Sequence, residues 1–343
     1  MKKVDFLIAG QGIAGTVFSY LAMQAGYSVH VADVTLPGMA SKVAGGLINP
    51  ITGRFMKKSW MAEMLFPCLK EVYNDMDALL GIESFQAMPI LRLLENEEEQ
   101  NRWEEKRLLF DHQPFMSASS AYDHPGICAH YAAASILQGG WLDTGLLLKH
   151  WRDYIIKQNV FSEEQVLPKD VTQGRWKEIE FRHLVFCEGY HGHHNPFFPG
   201  IALNPAKGEL LLVEIPQADW NFVINKHLLI IPLGNHMFKV GATVEHTDAL
   251  QLLDKSLEEL EIKLKRIVAY PYHIHERLVG IRPTVRDRRP VLGASTEIEG
   301  VWILNGLGTK GVALAPYMAM HLLQHIVSKA PLMQEVNWKR LYV

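Results

Sequence analysis

Apolar residues run unbroken from Phe6 to Ala9 and stop at Gly10. Such a run predicts a strand over residues 4–9 that is buried on both faces, as in the centre of a parallel sheet. The pattern then changes period. Val17, Leu21 and Ala22 recur at helical spacing, so a helix is predicted to about residue 25, with Gly26 as its C-cap. Residues 28–32 read as a second strand, and Asp33 ends it. The order is strand, glycine turn, helix, strand.

Further along, residues 40–54 are rich in glycine and small side chains and read as a loop. Residues 60–80 carry Leu65, Leu69, Val72, Tyr73, Met76 and Leu80 on one helical side, with Pro67 either kinking that helix or marking its start. Residues 87–94 are strand-like, and 95–107 form an acidic surface helix. Asp143 caps a helix to about residue 158, and 183–187 make another buried strand.

From Lys207 the texture becomes antiparallel. Residues 209–215, 228–233 and 237–244 read as strands, the last two joined through Gly234-Asn235. Ser256 and Glu259 have capping-box spacing ahead of a helix to about residue 268. A last apolar strand at 301–304 enters a second glycine turn, 305–311, and a helix to about residue 327. The α/β material therefore lies at both ends and near 143–190, with antiparallel β material between.

Two glycine turns carry the candidate chemistry. In Gly10-x-Gly12-x-x-Gly15, Gly10 permits the tight turn, Gly12 admits a pyrophosphate close to the backbone, and Gly15 lets helix and strand pack. The helix N-terminus offers free N–H groups to the phosphates. Asp33 stands where an acid bonds a ribose hydroxyl, which disfavours a 2′-phosphate and favours FAD or NAD over NADP. The second turn, Gly306-x-Gly308-x-x-Gly311, has no role in a simple NAD site. It suits a flavin, whose reduced ring carries negative charge that a helix N-terminus with Lys310 nearby stabilises.

At this point a family resemblance is legible. Matching stretches occur in order at 5–15, 41–50 with Ala44-Gly45-Gly46-Leu47, 140–143, 186–189, 207–209, 241–243, 280–284, 289–293 and 306–316. The chain resembles the D-amino-acid-oxidase (DAO) superfamily of FAD-dependent oxidoreductases, glycine- and sarcosine-oxidase-like. Its 306–316 segment is similar to the oxidoreductase domain of the enzyme that matures the wobble uridine of tRNA.

The resemblance implies an α/β fold: a discontinuous, Rossmann-like FAD-binding domain interleaved with an α+β antiparallel-sheet substrate domain. The expected division is 1–84, 140–204 and 278–343 for FAD, and 85–139 and 205–277 for substrate. FAD contacts are implied for Gly10, Gly12, Ile13, Ala14, Gly15, Asp33 and Ser41. They are also implied for Ala44, Gly45, Gly46 and Leu47 along the flavin ring, for Gly189, and for Gly306, Gly308, Thr309, Lys310 and Gly311.

Arg282 stands where relatives hold an arginine against the substrate carboxylate, a role its planar fork suits. Arg282 and Lys310 are the catalytic candidates. Hydride passes from the substrate α-carbon to the flavin, and the imine hydrolyses. A structural ion pair of Arg282 with Asp287 is the competing role. No cysteine follows Cys187, so non-covalent FAD is expected.

Composition narrows the partners. The formal net charge is −3 across 343 residues, which offers no polybasic body for nucleic acid. No stretch has the roughly 20 apolar residues of a membrane span. Cys68, Cys128 and Cys187 are scattered and odd in number, so a cytoplasmic, reducing setting is expected.

The expected partner is a small amine or amino acid, with O2, a quinone or a carrier protein as acceptor. A tRNA-borne amine is the alternative substrate, suggested by the segment around Lys310. A reductase using NADPH is a third reading, against which stands the lack of a second nucleotide fingerprint mid-chain. His191, His193 and His194 share one loop without the carboxylates or cysteines that complete a metal site, so no metal is expected. Arg286, Arg288 and Arg289 form a short basic run, read as a solvated strand edge. Tyr270, Tyr272 and His273 lie ahead of the Arg282 strand, either along the pocket or in the core.

Overall fold

The computed structural model describes residues 1–341. Five parallel strands form the centre of an eight-stranded sheet, in the order Phe161–Ser162, Val29–Ala32, Lys2–Ala9, Ile179–Phe186, Val301–Asn305. Val291–Ala294 adds antiparallel to the last of these, and a hairpin of two short strands, Val171–Thr172 and Arg175–Trp176, joins beside Ile179–Phe186.

The apolar run at the start has a direct explanation. Alternate residues of Lys2–Ala9 feed two cores. Phe6 and Ile8 pack with Val17, Phe18 and Ala319 on the helical side. Leu7 and Ala9 pack with Trp176, Phe198 and Trp338 on the other. With both faces buried, no polar position can alternate.

The helical layer contains Ile13–Gln24, Ala62–Leu80, Thr144–Lys157 and Gly311–Ser328. Asp143 caps the third of these, accepting from Leu146 N–H at 3.0 Å. Pro67 lies inside Ala62–Leu80, so it does not mark the helix start. The Tyr73 hydroxyl donates to the Val312 carbonyl at 2.7 Å, tying that helix to the first turn of the C-terminal one.

A second sheet has seven strands, in the order His273–Thr284, Asn204–Glu214, Met237–Gly241, Leu229–Gly234, Val223–Asn225, Ile90–Leu94, Ala132–Ile136. It is antiparallel except where Val223–Asn225 pairs with Ile90–Leu94. The hairpin at Gly234 turns through Asn235 and His236, both at positive φ, the signature of a type I′ turn.

One face of this sheet is covered by helix Asp254–Lys265, with Leu211, Val213, Phe238 and Val240 against Leu260 and Leu264. That helix begins earlier than the capping-box spacing predicts. Ser256 sits within it and donates its hydroxyl to Glu245 at 2.9 Å, because a carboxylate from the neighbouring loop is within reach. The other face turns Leu210, Ile231 and Lys239 toward residues 44–47 of the first layer. Strand His273–Thr284 runs across residues 277 and 278 without a break, so its far end reaches the parallel layer. Among the described residues no helix is long and apolar enough to cross a membrane.

Candidate active site

Three adjacent parallel strands end on the same side of the sheet, and each end carries a glycine. Lys2–Ala9 runs into Gly10, Ile179–Phe186 into Cys187-Glu188-Gly189, and Val301–Asn305 into Gly306. Ligands in open α/β sheets bind at this carboxyl edge.

The first turn is closed by contact. Gly10 has φ +102°, and a Cβ on Gly15 would lie 1.9 Å from the Gly10 carbonyl oxygen. Only glycine allows that approach. The Ile13 amide donates to Ser41 Oγ at 3.1 Å, while the amides of Ala14 and Gly15 have no acceptor among the described residues. Two free N–H groups at a helix N-terminus suit a pyrophosphate.

Asp33 is buried at the end of the neighbouring strand. It accepts from the Gln11 amide at 2.9 Å and forms an ion pair with Arg152, whose Nε also donates to Gln11 Oε1 at 2.7 Å. Asp33 is thus clamped in one orientation beside the first turn. Arg152 comes from the helix capped by Asp143, and no spacing rule connects it to Asp33.

The 38–47 segment joins this turn to the second sheet. The Ile281 amide donates to the Gly38 carbonyl at 2.9 Å, and Gly280 lies under Ala40 and Val43. Ala44 offers its carbonyl to Lys239 Nζ at 3.1 Å. Burial pulls the Lys239 ammonium below its ordinary range, with Asp143 partly opposing. Lys239 is a site residue that sequence reasoning missed. The available signal was a lone cation on a strand between Phe238 and Val240.

The second turn is tight at Gly306, where a Cβ would lie 2.6 Å from Val291 Cγ2 and 2.8 Å from Val285 Cγ2, and open at Gly308. Gly308 has φ +56°, and its nearest neighbours, Thr284 and Pro283, stand 3.7–4.0 Å from where a Cβ would be. Thr309 is exposed. Lys310 donates to Ser59 Oγ at 3.0 Å, and Ser59 in turn donates to the Asn49 carbonyl. Burial lowers the Lys310 pKa, and the charges of Arg289 and Arg288 push the same way. Arg289 is stacked over Trp60 at 4.5 Å, so this part of the basic run faces the site rather than solvent alone.

Arg282 sits near the end of the strand that abuts both the 38–47 segment and the second turn. Its guanidinium lies over Gly208, where a Cβ would meet Nη2 at 2.1 Å, and its Nη1 donates to the Thr243 carbonyl at 3.3 Å. Among the described residues no carboxylate lies within ion-pair distance of it. Asp287, the competing partner, is taken by Arg340 at 2.7 Å. Burial therefore lowers the Arg282 pKa with nothing opposing. A largely desolvated guanidinium with no counter-ion suits a carboxylate.

The structure thus gathers the two glycine turns, Asp33, Ser41, residues 44–47, Gly189, Lys310 and Arg282 along one edge. It leaves other candidates aside. Tyr270 packs over Gly126, and Tyr272 belongs to the core beneath helix Asp254–Lys265. His193 stacks on Tyr190 at 4.7 Å, and His191 bonds the Pro37 carbonyl.

This donor set fits FAD: free amides and an acid for the adenosine diphosphate, a second helix N-terminus with a lysine for the flavin. The comparisons with known proteins agree. The model of the DAO family, described as FAD dependent oxidoreductase, matches residues 5–325. A bifunctional ThiO/ThiG protein from Trichormus variabilis is 24% identical over 98% of this chain, which spans 55% of that relative's length. Glycine oxidase from Bacillus cereus superposes with a TM-score of 0.80 at 18% identity, covering 96% of each chain. Iminodiacetate oxidase from Chelativorans gives 0.78 at 19% identity, covering 97% of this chain and 98% of that one. At these identities the structural likeness shows the fold. The family match spans nearly the whole sequence, and the chain belongs to the DAO family of FAD-dependent oxidoreductases.

Proposed function

We propose that this enzyme oxidises a small amine bearing a carboxylate, an amino acid or an N-substituted amino acid. The observation that carries the reading is Arg282, a half-buried guanidinium without a carboxylate partner among the described residues, at the strand end between the 38–47 segment and the second glycine turn. The printed names of two structural neighbours, glycine oxidase and iminodiacetate oxidase, belong to enzymes of that substrate class.

When bound, the flavin supplies the acceptor for a hydride from the substrate carbon next to nitrogen. The chain does the positioning. Arg282 holds the substrate carboxylate in a two-point bond, which fixes the α-carbon in place. Residues 44–47, held by the Lys239 bond to the Ala44 carbonyl, would line the flavin. Lys310, held by Ser59, sets a positive charge at the helix N-terminus where the ring gains negative charge. No base is assigned, because an amine that binds neutral needs none. The cofactor is held without a covalent bond. No cysteine lies in the second glycine turn or the helix after it, and burial pushes the Cys187 thiol far up.

In this reading 1–84, 140–204 and 278–343 hold FAD, and 85–139 with 205–277 form the substrate side. Three unpaired thiols fit a cytoplasmic setting. Arg282→Ala tests the assignment. KM for a carboxylated substrate rises about 30- to 150-fold, the equivalent of about 2–3 kcal/mol for a lost charge-assisted pair, while kcat moves less. An unchanged KM removes Arg282 from this role. A tRNA-borne amine is a second reading, resting on the 306–316 segment alone. Salt-sensitive retardation of bulk tRNA by the protein distinguishes it.

A further inference from the structure

Glu188 lies at the end of the strand between the two glycine turns. Its Cα stands 3.4 Å from the position a Cβ on Gly10 would take. On its other side Asn305, the residue that opens the second turn, donates to the Gly189 carbonyl at 2.9 Å. The Glu188 backbone therefore stands between the two helix N-termini that the cofactor reading assigns to the diphosphate and the flavin, and its carboxyl reaches Asn195 past Gly192, where a Cβ would lie 2.9 Å from Oε2. It has protein on nearly every side yet keeps accessible surface, as a group lining a cleft does.

A single neutral donor serves it. Asn195 Nδ2 donates to Oε2 at 2.8 Å, and this is its one side-chain hydrogen bond among the described residues. Among the described residues no cation is within ion-pair distance of it. Titratable neighbours on its own segment are Cys187, Tyr190, His191 and His193, and His193 Nδ1 bonds the Tyr190 carbonyl. The Gly10 turn brings only Asp33, already paired with Arg152. The second turn brings Lys310, whose ammonium is on Ser59. Strand His273–Thr284, packed on residues 189–192, brings Arg282, whose Nη1 is on the Thr243 carbonyl. Asp248 takes the Tyr190 hydroxyl. Burial raises the Glu188 pKa to about 7, opposed only by Asn195. A dinucleotide diphosphate close by adds like charge and disfavours the ionised form further.

We infer that Glu188 binds against FAD as a neutral carboxylic acid, so that cofactor binding takes up one proton from solvent at this side chain. The inference rests on the FAD reading and extends it: Glu188 positions the dinucleotide by donating a hydrogen bond that its ionised form cannot donate. The linkage sign follows. Below about pH 7 the apo protein already carries the proton, and affinity is independent of pH. Above it, each pH unit removes the competent form tenfold, until the raised pKa of the bound state is passed.

The test is titration of apo protein with FAD from pH 6 to 9, read by quenching of flavin fluorescence, for wild type and Glu188→Gln. Calorimetry of wild type at pH 8, in two buffers of different ionisation enthalpy, counts protons directly. The inference expects wild-type Kd to rise about tenfold per pH unit above pH 7, a flat profile for Glu188→Gln, and uptake near one proton. It is overturned by a flat wild-type profile, by zero proton uptake, or by a slope that persists in Glu188→Gln and so belongs to the histidines. Failure of FAD to bind at any pH overturns the cofactor reading itself, a result separate from these.

Discussion

The two glycine turns flank one strand and end on one edge, yet they are built differently. The first is set by contact: the Gly15 position lies 1.9 Å from the Gly10 carbonyl oxygen, and Asp33 is clamped by Gln11 and Arg152. The second is held by side chains at Gly306, against Val291 and Val285, and beyond it charge takes over: Gly308 has space around it, and Lys310 with Arg289 and Arg288 gathers positive potential there. A diphosphate and ribose have fixed shape, so a rigid cradle recognises them. A redox ring changes charge during turnover, so the groups beside it must be electrostatically tuned more than tightly fitted.

The comparison predicts unequal responses to the same small change. Gly15→Ala drives a methyl group into backbone. The first turn must open, and FAD affinity should fall at least about 100-fold by equilibrium dialysis. Gly308→Ala adds the same methyl to open space. Its cost is the left-handed backbone, about 1–2 kcal/mol, and FAD should remain bound within about tenfold of wild type. If both variants lose FAD equally, the contrast between the turns is wrong.

Lys310→Met keeps the length of the side chain and removes its charge. The flavin midpoint potential should fall by about 30 mV, the equivalent of about 1.4 kcal/mol for two electrons, with FAD affinity little changed. A shift in affinity without a shift in potential would place Lys310 in binding instead. Gly208→Ala, in the second sheet, sharpens the picture at the substrate. The new methyl displaces the Arg282 guanidinium, which lies 2.1 Å from it. KM for a carboxylated substrate should rise about 3- to 10-fold, less than for Arg282→Ala, with thermal stability nearly unchanged.

How far the sequence reveals this site depends on the range of each interaction. The first turn, Asp33, the Asp143 cap and the Asn235 hairpin are legible because their physics is local, confined to a few residues of known spacing. Arg152, Lys239 and Glu188 are not. Arg152 reaches Asp33 across 119 positions, and Lys239 reaches Ala44 across 195. Nothing local marks Arg152, and the one local sign of Lys239 is a cation between Phe238 and Val240. Glu188 follows a buried strand, but its unusual character comes from what surrounds it in three dimensions. The Ser256 capping box misleads for the same reason: a distant carboxylate, Glu245, offers the hydroxyl a partner outside the helix. Arg282 is intermediate. The family resemblance locates it, while the structure removes its competing partner by giving Asp287 to Arg340.

The central claim is that this chain holds FAD and uses it to oxidise a small carboxylated amine. The most direct measurement is an anaerobic visible spectrum of the purified holoprotein before and after a pool of small amino acids and N-methyl amino acids is added. The account predicts flavin bands that bleach, with Arg282→Ala needing far higher substrate to do the same. Flavin bands that persist with every member of the pool would contradict the substrate class. A protein that neither carries FAD nor binds it on addition would contradict the account at its root.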